Sequence, residues 1–344
     1  LDRAQAAAQT LGLEEQLARI HFLRGNLFFP RGNIQGVLDE HEKSLRSAKA
    51  SGSVELEAAA LGGLGDAEYA RGRMITAHER FRACVELCRR HGFGRIEVAN
   101  ASMLGHAGLY FQPQSDALAA ALAAADSAAQ VGHQRAELNA RLAAFFALYE
   151  LADFDRVGEQ AERAAALTRA LGAARFDQPC LLYLGKVALA QDRRADAIEL
   201  LSQALRVARD TSVGFHGPNI CGGLALALED PAQRRAMLHE GEAMLARGSV
   251  AHNHLRFYPD AMATALELGD RQGVERYAAA LERFTHAEPL PWADFFIAWG
   301  HALAAFGAGQ RDEALVEELQ RLRAEAARMG FRTALAPIDD ALGT

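Results

Sequence analysis

Cys84, Cys88 and His91 fall at i, i+4 and i+7, a spacing that puts three potential zinc ligands on one helix face. Such a trio is half a metal site, and no second pair at ligand spacing follows it. Cys84 is better read as a small packing residue. His252 and His254, in "AHNHLRFYPD", suit an extended loop, where a structural or rim role is favoured over metal binding. Asp260 with Glu267, and Asp294 with Glu288, could serve acid–base chemistry such as glycoside hydrolysis on an α/α toroid. Sugar clefts need exposed aromatics, however, and the chain has two Trp and six Tyr, so these carboxylates read as solvated. The glycines of "GLGDAEYARG" raise the question of a phosphate loop. No Gly-rich stretch here leads into a Lys-Ser/Thr pair, and "GFGRIE" lacks a third glycine. The sequence therefore assigns no catalytic residue, no metal and no cofactor.

The elements behind these residues follow from composition. The chain has 344 residues, 50% of them apolar, yet only 7% are aromatic, and the apolar share is carried by Ala and Leu, a helical bias. A net charge of −7 argues against a nucleic acid or an anionic membrane as partner, and Arg89, Arg90, His91 and Arg95 read as a solvated rim. Four cysteines give no disulfide framework, and no apolar run approaches the roughly 20 residues of a membrane span. With no secretory leader, the expected location is the cytoplasm.

Two glycine ladders share one repeat period, of about 40 residues. Gly12, Gly52, Gly92, Gly132 and Gly172 close apolar helical runs, where a left-handed residue ends a helix. Gly25, Gly65, Gly105 and Gly185, with Phe145 at the missing step, lie inside the other helix of each unit, where Gly costs about 1 kcal/mol relative to Ala. Close approach of a neighbouring helix would offset that cost. Further anchors at Gly223, Ala263 and Gly300 make eight units, and Pro113, Pro231 and Pro259 are expected at turns or helix starts. Leu64, Gly65, Tyr69, Ala77, Phe81 and Cys84 follow the large–small–aromatic–small–aromatic–small order of a tetratricopeptide repeat, and Leu184, Gly185, Ala197, Leu201 and Ala204 repeat it. The predicted fold is an all-α, right-handed solenoid of about eight such helix pairs. Residues 1–19 form a partial repeat, 20–309 the array, and 310–344 the last helix and a capping helix. Because residues 1–10 lack a helix before them, the chain is expected to be cut from a longer array, its first helix frayed or covered.

As a set, "HFLRGNLFFPRGN", "GLGDAEYARGRMITAHERF", "CVELCRRHGFGRIEVAN", "VGHQRAE" and "EPLPWADFF" resemble the C-terminal tetratricopeptide region of bacterial proteins that join a class III adenylate/guanylate cyclase to an ATPase module. The resemblance implies a sensor or regulatory tail whose partners include the cyclase and ATPase domains of a parent chain. It transfers no catalytic residue, because neither module's motifs are present.

The concave face of such a solenoid binds partners. Positions one and four after each anchor should look inward, which names Asn26, Asp66, Tyr69, His106, Tyr149, Lys186 and His301 as groove candidates, while Phe29 and Phe146 pack between helices. These positions carry no Lys/Arg/Asn cluster of the sort that clamps a C-terminal carboxylate in chaperone-binding repeats. The reading is a non-catalytic domain that holds a protein, peptide or small molecule in its groove. Alternatives are the inducer-binding tail of a transcription regulator and the toroid enzyme.

Overall fold

The computed structural model describes residues 1–343, the side chain of Pro30 apart. Its α-helices are α1 (Asp2–Leu11), then eight antiparallel pairs, then α18 (Leu335–Leu342). The pairs are α2 (Glu14–Phe28) with α3 (Ile34–Ser51), α4 (Val54–Ala70) with α5 (Met74–His91), and α6 (Gly94–Gly108) with α7 (Gln114–Gln130). Next come α8 (Gln134–Glu150) with α9 (Phe154–Leu171), α10 (Asp177–Ala190) with α11 (Arg194–Thr211), and α12 (Val213–Ala227) with α13 (Pro231–Ala246). The last are α14 (His252–Glu267) with α15 (Arg271–Thr285) and α16 (Pro291–Gly307) with α17 (Glu313–Met329). No strand occurs among the described residues. The array is a right-handed tetratricopeptide-like solenoid.

Both ladders have a physical job. The glycines ending the second helices carry positive φ, from 60° at Gly172 to 77° at Gly92, and have open space around them. The internal glycines face the second helix of their own pair. A β-carbon at Gly25 would stand 2.7 Å from His41, one at Gly65 2.6 Å from the Phe81 ring, and one at Gly185 2.7 Å from Leu201. Where the anchor is the large Phe145, the equivalent place in the second helix holds the small, buried Ala161. In these four hairpins a small residue on one helix meets a larger one on the other, whereas Gly105 faces the small Ala121 and the two helices approach through both, as close packing allows. A third series, at the turn inside six of the pairs, is only partly marked by glycine. Gly32 and Gly72 have φ of 70° and 89°, while Ala152 (54°) and Asp192 (57°) adopt the same left-handed turn despite their side chains.

The superhelix is tight enough for each turn to rest on the next. The end of α4 meets the start of α14, five pairs later, where the Ala251 N–H donates to the Ala70 carbonyl at 3.2 Å. The end of α6 meets the start of α16 in the same way, with the Trp292 N–H donating to Tyr110 O at 3.1 Å. Glu288, just before α16, caps α5 by accepting from the Ile75 and Thr76 N–H groups at 2.8 and 3.2 Å. That role corrects its reading as a solvated carboxylate. Deepest in this seam, Arg256 of α14 pairs with Glu150 of α8 at 2.6 Å, both side chains 4% exposed. Glu150 also accepts from Thr333 Oγ1 at 2.9 Å, and the guanidinium lies 4.3 Å from the Trp292 ring centroid. The first pair makes none of these cross-turn bonds, so the closure is turn on turn and not the ring of a toroid.

Pro259 is not at a helix start, as its sequence context suggested, but inside α14, and Pro218 is inside α12. Proline cannot bond the carbonyl four residues back. The structure uses both freed carbonyls. Leu255 O accepts from Trp292 Nε1 at 3.0 Å, and Gly214 O accepts from the Val250 N–H at 3.1 Å and Asn253 Nδ2 at 3.2 Å. Each breaker thereby becomes a cross-link between neighbouring first helices.

Gly65→Leu is expected to lower stability by about 1–3 kcal/mol through overpacking, and Gly65→Leu combined with Phe81→Ala to recover most of that loss. Urea denaturation measures both, and an additive double mutant would mean the two positions are not a complementary pair. Glu150→Gln should cost about 3–5 kcal/mol, because it leaves Arg256 charged and buried, whereas Glu150→Leu with Arg256→Met should cost far less. A loss below about 1 kcal/mol for the single change would show that the pair does not hold the seam.

Candidate functional site

The first helices of the pairs line the inner wall of the superhelix, and the residues one and four beyond each anchor converge there in the middle of the array. Tyr69, His106, Phe146, Tyr183, His216 and His252 form a continuous cluster of rings. Tyr69 and His106 lie 6.3 Å apart, His106 and Phe146 5.8 Å, Phe146 and Tyr183 4.4 Å, and His216 stacks on His252 at 4.4 Å. Beside it Lys186 pairs with Asp260 at 2.6 Å, its ammonium 5.9 Å from the rings of both Tyr149 and Tyr183.

The hydrogen bonds identify the tautomers. His252 Nε2 donates to Phe215 O at 2.6 Å, since a carbonyl can only accept, so Nδ1 accepts from the Tyr69 hydroxyl at 3.3 Å. His106 Nε2 likewise donates to Asn139 O at 2.8 Å, which leaves its Nδ1 a buried acceptor with no donor. His216 Nδ1 is buried and unpartnered as well. Burial pushes His106 down to about 4, His252 down to about 3 and His216 well below the usual imidazole value, so the cluster is neutral at physiological pH. Burial also raises the Tyr69 and Tyr149 phenols, keeping them protonated.

Of the groove residues named from sequence, Tyr69, His106 and Lys186 are buried in this floor and Tyr149 is half-buried at its edge. Asp66 lies one helical turn from Tyr69, half-buried. Burial pushes its carboxyl up to about 7 against the opposing pull of Arg135. Asn26 and His301 do not join the floor: both are exposed in the terminal pairs, and His301 faces Glu275 of α15 at 3.2 Å. Phe29, expected between helices, is 41% exposed, because the first pair has no neighbour on that side. Phe146 is buried as expected.

The sequence missed the contributions of Tyr183, His216 and Arg256. Tyr183 precedes its anchor by two residues, and the other two reach the floor only because α12 and α14 wrap back over earlier pairs. The histidines of "AHNHLRFYPD" are neither in a loop nor at a rim. His252 is buried in the first turn of α14, and half-buried His254 stacks on Phe284 at 4.2 Å. Cys84 and Cys88 are buried thiols, raised by burial, while His91 is exposed and stacked on Phe93. Asp260 and Glu267 each face a different cation, Lys186 and Arg234. Among the described residues no group of three or more His, Cys, Asp or Glu side chains is placed to hold a metal ion, and no helix is long and apolar enough to cross a membrane.

Above the floor, the linkers into α6, α8 and α10 line up side by side. They enclose an open cleft of about 610 Å³, lined by Gly94, Arg95, Val131, Gly132, His133, Gln134, Arg135 and Leu171. The arrangement combines a neutral aromatic and imidazole floor, two buried imidazole nitrogens without a partner, and a basic edge.

No protein-family model matches the chain, and no curated protein sequence matches it. Solved structures do resemble it in fold. A Rap protein complexed with competence and sporulation factor is similar with a TM-score of 0.59 at 15% identity, over 86% of this chain and 77% of the other. The Rap conjugation gene regulator of plasmid pLS20, in complex with the Phr* peptide, is similar with a TM-score of 0.60 at 16% identity, over 86% and 79%. At these identities the likeness shows the fold: a helical-repeat solenoid of the tetratricopeptide type.

Asp66 supplies a pH test. Its folded value of about 7 lies above the unfolded carboxylate value of about 4, so the native state holds the proton more tightly. Its contribution to stability is therefore present at low pH and lost as pH rises through 7. The melting temperature of wild type relative to Asp66→Asn should fall between pH 4 and pH 7 and then level off. A constant difference across that range would place the Asp66 carboxyl in free solvent.

Proposed function

We propose that the chain is a non-catalytic binding domain that takes a peptide segment against the inner wall of its superhelix and serves as the regulatory part of a larger system. The observation that carries this reading is the inner wall: a rigid floor of rings from Tyr69, His106, Phe146, Tyr183 and His216, edged by the half-buried Asp66 and Tyr149 and by the open cleft with its basic side chains. A rigid floor with half-buried polar and aromatic side chains at its edge and an open cleft beside it offers an extended peptide both apolar contact and hydrogen-bonding partners. The complexes of similar fold with competence and sporulation factor and with the Phr* peptide lend support. What the domain would regulate rests on the sequence motifs alone, which favour a cyclase–ATPase parent chain in the cytoplasm of a bacterium.

Selection of a random hexapeptide library on the purified chain tests the reading. A consensus peptide should emerge, and its binding should vanish in Asp66→Trp, which fills the inner wall, with the helical circular dichroism unchanged. Absence of any consensus, or equal binding to the Trp variant, would refute inner-wall capture.

A further inference from the structure

Arg95, Arg135 and Arg175 occupy the same place in three successive pairs, one repeat period apart. Each lies about three helical turns before a residue of the inner wall, namely His106, Phe146 and Lys186, so the arginines extend the inner face upward to its mouth. All three are exposed, and among the described residues none makes an ion pair or hydrogen bond. Arg175 meets only rings, its guanidinium 4.9 Å from the Phe176 centroid and 5.4 Å from that of Phe215.

The neighbouring carboxylates are already engaged. Just after the arginines, in the same order, stand Glu97, Glu137 and Asp177. Glu97 pairs with Arg89 at 2.8 Å and Glu137 with Arg141 at 2.6 Å, while Asp177 feels the charge of Arg169. Arg95 and Arg135 line the cleft described above, which contains no carboxylate. Burial, and then the charge of Arg135, depress the Arg175 guanidinium, so the two cations lie within electrostatic reach of each other, and the half-buried Asp66 is the carboxyl that feels Arg135. The strip is bounded, because the residue ten before the anchor is Glu55 one pair earlier and Val213 one pair later. The inner wall thus has a basic series that positions one and four after the anchors did not disclose.

We propose that Arg95, Arg135 and Arg175 dock an acidic peptide segment with carboxylates at every third residue. This deepens the peptide-binding reading and rests on it. Packed helices lie about 8–10 Å apart. In a polyproline II segment, residues i and i+3 share a face and are separated by about 9 Å. One carboxylate then meets one guanidinium per helix pair, three in all, and the apolar cleft residues Val131 and Leu171 cover the spacers between them. A net charge of −7 disfavours nucleic acid as the occupant.

The probe is a fluorescein-labelled Glu-Pro-Pro-Glu-Pro-Pro-Glu peptide, compared by fluorescence polarisation with its permutation Glu-Glu-Glu-Pro-Pro-Pro-Pro. The spaced peptide should bind about tenfold more tightly, with an affinity that falls as salt rises. Each of R95E, R135E and R175E should weaken it by about fivefold, and the triple variant by about a hundredfold. Equal binding of both peptides, or indifference to the triple variant, overturns the proposal. So does displacement of the spaced peptide by oligo-dT at lower concentration, which would mark a nucleic-acid surface. The library-selected hexapeptide separates the two readings. If it binds the triple variant normally but not Asp66→Trp, peptide capture stands and the arginine strip falls.

Discussion

One buried guanidinium holds the two turns of this superhelix together. Arg256 meets Glu150 at 2.6 Å in a place that almost no water reaches, with the Trp292 ring against one side of the charge. A pair of this kind adds little net stability compared with apolar residues of the same volume, but it tolerates no partial arrangement. The charge is acceptable only if α8, α14 and α16 are all in place. It therefore couples residues 106 positions apart in sequence and makes the distant pairs fold as one body. Repeat arrays whose units touch only their neighbours lack that coupling.

The same seam decides what the inner wall can be. A solenoid with a wide pitch leaves its concave face open, and the residues on it remain solvated. Here the wrap of α12 and α14 back towards α4 and α8 brings His216, His252 and Arg256 up to Tyr69 and Tyr110. The prolines assist. Each removes one internal helix bond, and the carbonyl released is taken up by a group on the next first helix, so a local weakness is exchanged for a tertiary link. The floor is in consequence closely packed, its imidazoles neutral and its buried charges matched in the Lys186–Asp260 and Arg256–Glu150 pairs, while Asp66 and the arginine series stand at its edges.

That division suits recognition. A binding surface needs rigid apolar anchors at its centre and charged groups at its rim, where desolvation costs less and electrostatic attraction can guide approach. The rings from Tyr69 to Tyr183 are of the first kind, each fixed by its neighbours. Arg95 and Arg135 in the first turns of α6 and α8, and Arg175 in the short 3-10 turn before α10, are charged groups of the second kind. Catalysis would require a nucleophile, an acid–base pair or a metal within reach of one point, and the candidate groups for it are dispersed into caps, ion pairs and packing.

Much of this architecture could be read in the sequence, because it depends on short-range rules. Gly52 and Gly92 end helices by local backbone geometry, and Gly65 against Phe81 is a pairing within one hairpin, so a ruler of one repeat length finds both. Tyr69, His106 and Lys186 follow from helical periodicity once the anchors are placed. The left-handed turns at Ala152 and Asp192 escaped notice because no glycine marks them. Pro259 misled because a sequence shows the missing N–H but not the Trp292 indole that compensates for it. The terminal residues Asn26 and His301 obey the same period as the others yet remain exposed, since periodicity says which face a residue occupies and not whether anything covers that face. Sequence by itself determined the helices and their pairing, set by contacts within one or two units. Only the tertiary structure decided the pitch, and with it which distant residues share the floor, because pitch is the sum of many small rotations between units and is expressed in contacts 183 residues apart.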